Sequence, residues 1–422
     1  MLRLALWTAV LAACATTTVD DSDLQLAVCQ VTVPPADVPA SLPIAHVIVV
    51  VNENRSFDHM FGALALEHRE VDGITPEFAN LDRAGQRVPF SQRTDTCFPH
   101  DAPHDEDHLD DAVDGGAMDG FVKAAATATN DGHFVMGYYT RAELPFYYFL
   151  ADKFAISDSY FAPILGPTDS NRDFLYAATS KGVSASHTEG VMAGQRTIFD
   201  ALDDAHVTWG VYSKGRPRQE TALGWGCDHK NFFDEPALFA GLAQPDTLPA
   251  VVFVDPGVDE DEHPPHDVQG GEAFSRRIYN ALRASPAWNQ TALIFTYDEG
   301  GGITDHVAPP EACPPSGAGP IDHLGERVPF ILVSPHARPG YVSHLVHSHT
   351  SVLRLIELVW HLSPLTARDA SSDALLDMFD FDSAPRQAPA SVDAGTGGCL
   401  QPPEPYWQHA LELSAEQSCH QT

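Results

Sequence analysis

Four apolar segments rich in β-branched residues end abruptly in polar residues, and this pattern constrains the fold more than any other feature. The segments are 44–51, 250–254, 292–297 and 328–333. Carboxylates follow the first three, and Ser334-Pro335-His336 follows the fourth. Buried parallel strands read as continuous apolar runs, and open α/β sheets bind ligands beyond the carboxyl ends of their strands. The sequence therefore predicts one metal-dependent site assembled at one edge of a sheet.

Helical patterns alternate with the apolar segments. Helices are predicted over 172–179, 197–202, 273–284 and 350–361, and two further short strands over 154–156 and 207–212. The last of these helices has Val352, Leu355, Ile356 and Val359 at the spacing of a core-facing stripe. This alternation predicts an α/β fold with a doubly wound, mostly parallel sheet and helices on both faces.

The amino terminus has the pattern of an export signal. Arg3 precedes an apolar stretch, and Leu11-Ala12-Ala13-Cys14 is typical of lipoprotein signals whose cysteine carries a lipid anchor. The alternative is an ordinary signal cleaved near Ala15 or beyond. Both predict an extracytoplasmic protein: secreted, periplasmic, or an outer-surface lipoprotein. No other segment approaches the ~18 apolar residues of a spanning helix, so no transmembrane span is expected.

Composition narrows the partners and divides the chain. The sequence has 24 basic and 58 acidic residues, a formal net charge of −34, which disfavours binding to nucleic acid. We predict a signal segment over 1–14, a linker over 15–41 rich in Thr, Asp and Pro, and a catalytic domain over 42–365. The remainder, 366–422, is rich in Ala, Asp and Pro and is predicted to wrap the domain as a tail.

Six cysteines remain after Cys14 is set aside, and none of them form a close pair. An even number in an exported protein predicts three disulfides, with fifteen pairings open, and free buried thiols are the alternative. The six are Cys29, Cys97, Cys227, Cys313, Cys399 and Cys419.

The segment 166–172 is the most informative about mechanism. Asp169 or Ser170 is predicted to cap the helix over 172–179, which puts Thr168 just before its amino end. The positive end of the helix dipole favours an anion such as a phosphoryl group there, beside the Thr168 hydroxyl. A metal or a base can turn that hydroxyl into a nucleophile. An ordinary turn with a helix cap is the alternative.

Other polar clusters are each typical of a cap, a turn or a solvated loop when taken singly. Together they supply oxygen ligands for a hard divalent ion and imidazoles for proton transfer. The oxygen donors follow the first and third strands, and the histidines lie on loops. They are Glu53, Asn54, Asp298, Glu299, His104, His108, His229, His263 and His266.

These motifs, taken in order, resemble those of a bacterial phosphoesterase family that contains phospholipases C and a respiratory-burst-inhibiting acid phosphatase. The resemblance runs from about Ile44 to Leu362. It rests on the segments 53–58, 118–121, 166–168 with 171–172, 229–233, 262–265, 297–302 with 305–307, 327–335, 340–343 and 349–354.

The resemblance implies an alkaline-phosphatase-like fold with one divalent metal ion of unknown identity. By motif, the expected metal ligands are Glu53, Asn54, Thr168, Asp298 and Glu299. The expected catalytic residues are Thr168, His104, His229 and His263, and phosphate would contact Asn54 and the same three histidines. His349 is a second-tier candidate that opens a helix. Ser170 departs from the family, which commonly has proline there.

The resemblance favours a phosphodiesterase of the phospholipase C type, because those members share a threonine nucleophile. A phosphothreonine intermediate and a phosphate ester or phospholipid substrate are then expected. One alternative is an acid phosphatase acting on monoesters, a branch that uses serine. The other is a non-catalytic surface binding protein on the same scaffold.

Overall fold

The computed structural model of the chain describes residues 29–30, 41–186, 190–215, 217–226, 228–315 and 321–399. The predicted signal segment, Cys14, most of the predicted linker and the end of the predicted tail lie outside these ranges. Within the described ranges, no helix is both long enough and apolar enough to span a bilayer.

The centre of the fold is an eight-stranded sheet. In chain order its strands are β1 (His46–Asn52), β2 (Ala155–Ser157), β3 (Trp209–Ser213), β4 (Phe232–Asp234), β5 (Val251–Asp255), β6 (Thr291–Tyr297), β7 (Phe330–Val333) and β8 (Tyr341–Ser343). In space they run β8-β2-β7-β6-β1-β5-β3-β4. All neighbours are parallel except β7, which is antiparallel to both β6 and β2. The predicted α/β fold with a mostly parallel sheet is confirmed.

Strand β1 lies in the middle of the sheet, between β5 and β6. Val49 is in register with Phe253 on one side and Ile294 on the other. The side chains of all three strands are buried almost throughout, which explains why each reads as a continuous apolar run. The carboxyl ends of β1, β5 and β6 therefore meet at one edge of the sheet.

Eleven α-helices occur in the described part of the chain, and the longer ones form two groups by their main contacts. The first group is centred on α5 and the second on α9. In chain order the helices are α1 (Phe57–Met60), α2 (Glu106–Val113), α3 (Phe121–Ala125), α4 (Pro145–Lys153), α5 (Thr168–Ala177), α6 (Ile198–Asp204), α7 (Arg218–Leu223), α8 (Glu235–Ala243), α9 (Val268–Ala284), α10 (His349–Trp360) and α11 (Ala367–Ser371). Helix α5 contacts α6, α7 and α10, whereas α9 contacts α4 and α8.

The expectation that the fourth apolar segment delivers polar groups to the same edge is wrong. Because β7 is antiparallel to β6, Phe330 is paired with Thr296 and Val333 with Leu293. The end of β7 therefore lies at the opposite edge of the sheet. There the ring of His336 packs against Phe381, 5.7 Å between centroids.

The segment after α11 runs along helix α9. The Tyr279 hydroxyl donates to Pro389 O at 2.7 Å, and Arg276 Nε donates to Val392 O at 2.7 Å. Further on, Gly395 N donates to Glu272 Oε2 at 2.6 Å. This is the path that a wrapping tail would take.

Two disulfides occur among the described residues, Cys29–Cys313 and Cys97–Cys399. The first closes 284 residues of sequence and the second 302. The second ties the segment after α11 to the loop that precedes α2. Cys227 and Cys419 lie outside the described residues, so the third predicted bridge stays a prediction.

We expect the double variant Cys97→Ser/Cys399→Ser to lower the free energy of unfolding by roughly 2–5 kcal/mol, because the bridge restricts the unfolded chain. Urea denaturation of the variant and the wild type measures the difference. Peptide mapping of unreduced protein should recover the Cys97–Cys399 pair. Alkylation of either thiol in unreduced, denatured wild type would contradict the pairing.

Candidate active site

Thr168 is the first residue of helix α5, and Pro167 occupies the N-cap position. Its hydroxyl donates to Glu299 Oε1 at 3.1 Å. The prediction that Asp169 or Ser170 caps the helix is wrong, because the helix starts earlier than its sequence pattern indicates. Ser170 instead donates to Ala185 O at 2.9 Å. The first N–H groups of a helix lack intrahelical acceptors, so Thr168 still lies where an anion is favoured.

Asn54 follows strand β1 in a left-handed conformation, with φ of 61°. Its backbone N–H points to Asp298 Oδ1 at 3.4 Å, and its Nδ2 lies 3.4 Å from His104 Nε2. Its side-chain oxygen Oδ1 is buried and has no hydrogen-bond partner in the part of the chain that the structure describes. Asn54 thus presents a bare oxygen next to the residues that follow β6.

Asp298 and Glu299 follow strand β6 and are both buried. Asp298 Oδ1 accepts the Glu299 backbone N–H at 2.9 Å. Glu299 uses Oε1 to accept from Thr168, whereas its Oε2 is buried and accepts no hydrogen bond from any described residue. A buried polar atom that is left unsatisfied costs about 1–3 kcal/mol, so both oxygens are candidate ligands for a cation.

Glycines after Glu299 make this arrangement possible. Gly301 has φ of +66°, and a Cβ there would lie 2.7 Å from Asn54 Cβ. Gly302 has φ of +64°, and a Cβ there would lie 2.5 Å from Pro103 O. The close backbone approach is therefore to Asn54 and to the loop that carries His104.

The buried guanidinium of Arg172 joins the ends of three strands. It donates to Asp298 Oδ2 at 2.9 Å, to Asp255 Oδ1 at 2.8 Å and to Glu53 Oε1 at 3.2 Å. Arg172 lies four residues after Thr168 on helix α5, so both side chains are on the same helix face. The Arg172 guanidinium therefore holds the three carboxylates together. Because it belongs to the same helix as Thr168, it also keeps that residue beside them.

A second arginine contacts the same carboxylates from helix α7. Arg218 Nη2 donates to both oxygens of Glu53, at 2.7 and 2.9 Å, and its backbone N–H donates to Asp255 Oδ2 at 3.1 Å. Burial alone would raise the pKa of Glu53, but the charges of Arg218 and Arg172 outweigh it and lower that pKa to about 2. Both oxygens of Glu53 are thus engaged by arginine.

The two carboxylates after β6 behave differently. Burial raises the pKa of Asp298 to about 6 against the opposing charge of Arg172. Burial and the negative charge of Asp298 raise the pKa of Glu299 well above its ordinary value. Neither carboxylate is stabilised in its charged form as strongly as Glu53 is.

Two histidines lie on loops beside the bare oxygens. His104 Nδ1 donates to Ala102 O at 2.7 Å, so the ring proton is on Nδ1, and Nε2 lies 4.0 Å from Glu299 Oε1. His263 Nδ1 donates to Pro264 O at 2.6 Å. One ligand atom each of His104, His263 and Asp101 lie within 4.8 Å of one another. His108, by contrast, is exposed and is held by Asp105 at 2.7 Å.

Known proteins resemble the chain over most of its length. The family model for the Phosphoesterase family matches residues 44–363. Non-specific phospholipase C6 of Arabidopsis thaliana is 33% identical to the chain over 82% of its length and 74% of the plant protein. Phospholipase C B of Mycobacterium tuberculosis is 31% identical over 83% of the chain and 80% of that protein.

The chain belongs to the phosphoesterase family. It is an enzyme that hydrolyses phosphoric esters, so the non-catalytic alternative falls away. Among solved structures, one of an alkaline phosphatase superfamily protein from Vibrio parahaemolyticus is similar to the chain, with a TM-score of 0.45 and 9% identity. The similarity covers 84% of this chain and 78% of the Vibrio chain. That likeness is too distant to support any conclusion about the chain.

Two of the predicted histidines have other surroundings in the phosphoesterase. His229 stacks on Trp225 with 4.5 Å between centroids, and no contact joins it to the other predicted site residues within the described ranges. Its predicted role stays a prediction. His349 Nε2 donates to Asp298 O at 2.9 Å, and burial lowers its pKa to about 3. It is therefore a neutral residue that holds the end of β6.

The oxygens after β1 and β6 fit a hard divalent cation, whose preferred ligands are carboxylate, amide and hydroxyl oxygens. Asn54 Oδ1 and Glu299 Oε2 are buried without a partner among the described residues, and the Thr168 hydroxyl lies beside Glu299. Asp298 lies beside them, and its two oxygens accept from Glu299 N and from Arg172 Nε. Glu53 fits less well, because both of its oxygens accept from arginine.

Sequence reasoning missed both arginines. Arg172 had a detectable signal, since it follows Thr168 at i+4 in a helical pattern, and a buried cation is needed where three carboxylates converge. Arg218 had none, because helix α7 is short and distant in sequence from Glu53. Asp101 forms a cluster with His104 and His263. It could not be singled out from the sequence, because it lies in an acid-rich loop.

We expect Arg172→Met to lower the free energy of unfolding by about 3–5 kcal/mol, because it leaves buried carboxylates without their cation. Arg196→Met is the matched control: its ion pair with Asp204 is exposed, and its loss should cost at most about 1 kcal/mol. Denaturant unfolding monitored by fluorescence compares the two. An Arg172→Met enzyme as stable as the control variant would contradict the role given to Arg172.

Proposed function

We propose that this phosphoesterase is a metal-dependent phosphodiesterase of the phospholipase C type, with Thr168 as its nucleophile. One observation carries the proposal. The Thr168 hydroxyl, at the start of a helix, donates to Glu299 Oε1 at 3.1 Å beside two buried oxygens that lack partners among the described residues. A hydroxyl, an acceptor for its proton and oxygens able to bind a cation are the parts that metal-assisted nucleophilic phosphoryl transfer requires.

Thr168, Asn54, Asp298 and Glu299 would hold one divalent ion, with Glu53 as a ligand only if Arg218 releases it. Such an ion lowers the pKa of a coordinated hydroxyl and stabilises negative charge on the phosphoryl oxygens. Asn54 Nδ2 lies 3.4 Å from His104 Nε2. Both atoms would donate to a phosphoryl oxygen when the His104 ring carries a proton on each nitrogen.

In the first step the Thr168 Oγ–phosphorus bond forms while the bond from phosphorus to the leaving alcohol breaks. Glu299 accepts the hydroxyl proton through the hydrogen bond already present. His263 donates a proton to the departing alcohol. Water then attacks phosphorus and gives a proton to His263, while the threonine oxygen leaves and takes its proton back from Glu299. The phosphorylated head group is released.

A phospholipid is the proposed substrate, because the relatives at 33% and 31% identity are named phospholipases C. Parallel assays on phosphatidylcholine, p-nitrophenyl phosphorylcholine and p-nitrophenyl phosphate decide between this reading and the monoesterase alternative. Hydrolysis of the first two but not the third is the expected pattern. The reverse pattern would make the enzyme an acid phosphatase.

We also propose an extracytoplasmic location. The two disulfides support it, because such bonds persist mainly in oxidising compartments, and the predicted signal segment has the same implication. A lipid anchor on Cys14 stays a prediction.

Replacing Thr168 tests the nucleophile. Thr168→Ala is expected to keep the fold but lose several orders of magnitude in kcat, because no other described residue places an attacking group there. Thr168→Ser should retain part of the rate, since the hydroxyl survives. Rates on phosphatidylcholine, with circular dichroism as the folding control, check both variants. If Thr168→Ala turned over within about tenfold of wild type, water would be the direct nucleophile and the mechanism would be wrong.

A further inference from the structure

We propose that Glu262 is a positioning residue for His263. Its buried carboxylate anchors the loop 261–267 to the strand ends, and so fixes the imidazole that protonates the leaving alcohol. The inference rests on the proposed function, in which His263 is that acid.

The Glu262 carboxylate is fully buried and accepts hydrogen bonds at both oxygens. Oε1 accepts from the Tyr147 hydroxyl at 2.5 Å and from Asn52 Nδ2 at 3.2 Å. Oε2 accepts from the Tyr297 hydroxyl at 2.6 Å. Asn52 and Tyr297 are the last residues of β1 and β6. The carboxylate therefore ties the loop to the two strands whose ends carry the proposed metal ligands.

The main chain at Glu262 is held in a conformation that it would not adopt alone. Its φ is +69°, in the left-handed region that non-glycine residues rarely occupy. Arg55 Nε donates to Glu262 O at 2.9 Å, and Glu53 N donates to Asp261 O at 2.8 Å. A residue keeps such a conformation only where its surroundings enforce it. Residues in rare backbone conformations are found most often at functional sites.

Helix α9 leaves room for this side chain. Gly271 is inside the helix, where glycine is a poor helix former. A Cβ at this position would lie 2.2 Å from Glu262 Cγ. The helix therefore contains a glycine at a position where a Cβ would displace the Glu262 side chain.

His263 comes directly after the anchor. Its Nδ1 donates within the loop, to Pro264 O at 2.6 Å. In the ring protonated on both nitrogens, Nε2–H would be the donor to the leaving oxygen. A displacement of the loop would move this nitrogen relative to the leaving oxygen. Small misplacements of a reacting group are enough to reduce rates about a hundredfold.

The test compares two leaving groups. p-Nitrophenolate departs from p-nitrophenyl phosphorylcholine without needing a proton, whereas the diacylglycerol oxygen of phosphatidylcholine needs one. Glu262→Ala is expected to lower kcat on phosphatidylcholine by about 100-fold or more, the usual effect of losing a general acid, and on p-nitrophenyl phosphorylcholine by less than about tenfold. Glu262→Gln, which keeps an acceptor oxygen and the shape, should restore most of the lost rate.

Glu272→Ala is the matched control. Glu272 is an equally buried glutamate that accepts the backbone N–H groups of Phe146 and Tyr147, outside the His263 loop. Any loss in this variant should be the same on both substrates. His263→Ala sets the full size of the leaving-group effect, and the double variant Glu262→Ala/His263→Ala should be no slower than His263→Ala.

Equal losses on the two substrates in Glu262→Ala, or a double variant slower than His263→Ala by the full Glu262→Ala factor, would overturn the inference alone. Absence of a leaving-group effect in His263→Ala would instead show that the proposed acid is wrong, and the inference would fall with it. If Glu262→Ala does not fold, Tyr147→Phe removes one donor to the carboxylate from helix α4, and the same ratio of rates decides.

Discussion

The ion pairs of Arg172 are the interaction on which the site depends. Strands β1, β5 and β6 end at one edge and bring Glu53, Asp255 and Asp298 into a space where like charges repel strongly. A single guanidinium with a fixed fork of donors can satisfy all three. Because that guanidinium belongs to helix α5, the pairing also places Thr168. The same ion pairs therefore compensate the carboxylate charge and position the proposed nucleophile.

The proposed chemistry depends on site oxygens that Arg172 does not engage. Glu299 and Asn54 keep oxygens without partners among the described residues, beside the hydroxyl of Thr168. Buried polar atoms without a protein partner are expected where an ion or a ligand binds them. Behind them, the Glu262 carboxylate joins the loop of the proposed acid to the same strand ends. The proposed nucleophile and the proposed acid are thus both held to the ends of the same strands.

The buried parallel strands and the carboxylates that follow them could be predicted, because burial on both faces leaves a continuous apolar run. The direction of β7 could not, since a four-residue apolar segment has the same composition in either direction. The start of helix α5 was placed too late because Gly166 and Pro167 resemble a turn. Contacts such as Arg218 with Glu53 join short segments far apart in sequence, and no local pattern reports them.

The most direct test of the account is a crystal structure with Mn²⁺, in which anomalous scattering locates the ion. The account predicts one ion bound by Asn54 Oδ1, the Thr168 hydroxyl and the Glu299 carboxylate, with Asp298 beside it. An ion held by the cluster of Asp101, His104 and His263, with the oxygens of Asn54 and Glu299 left bare, would contradict it.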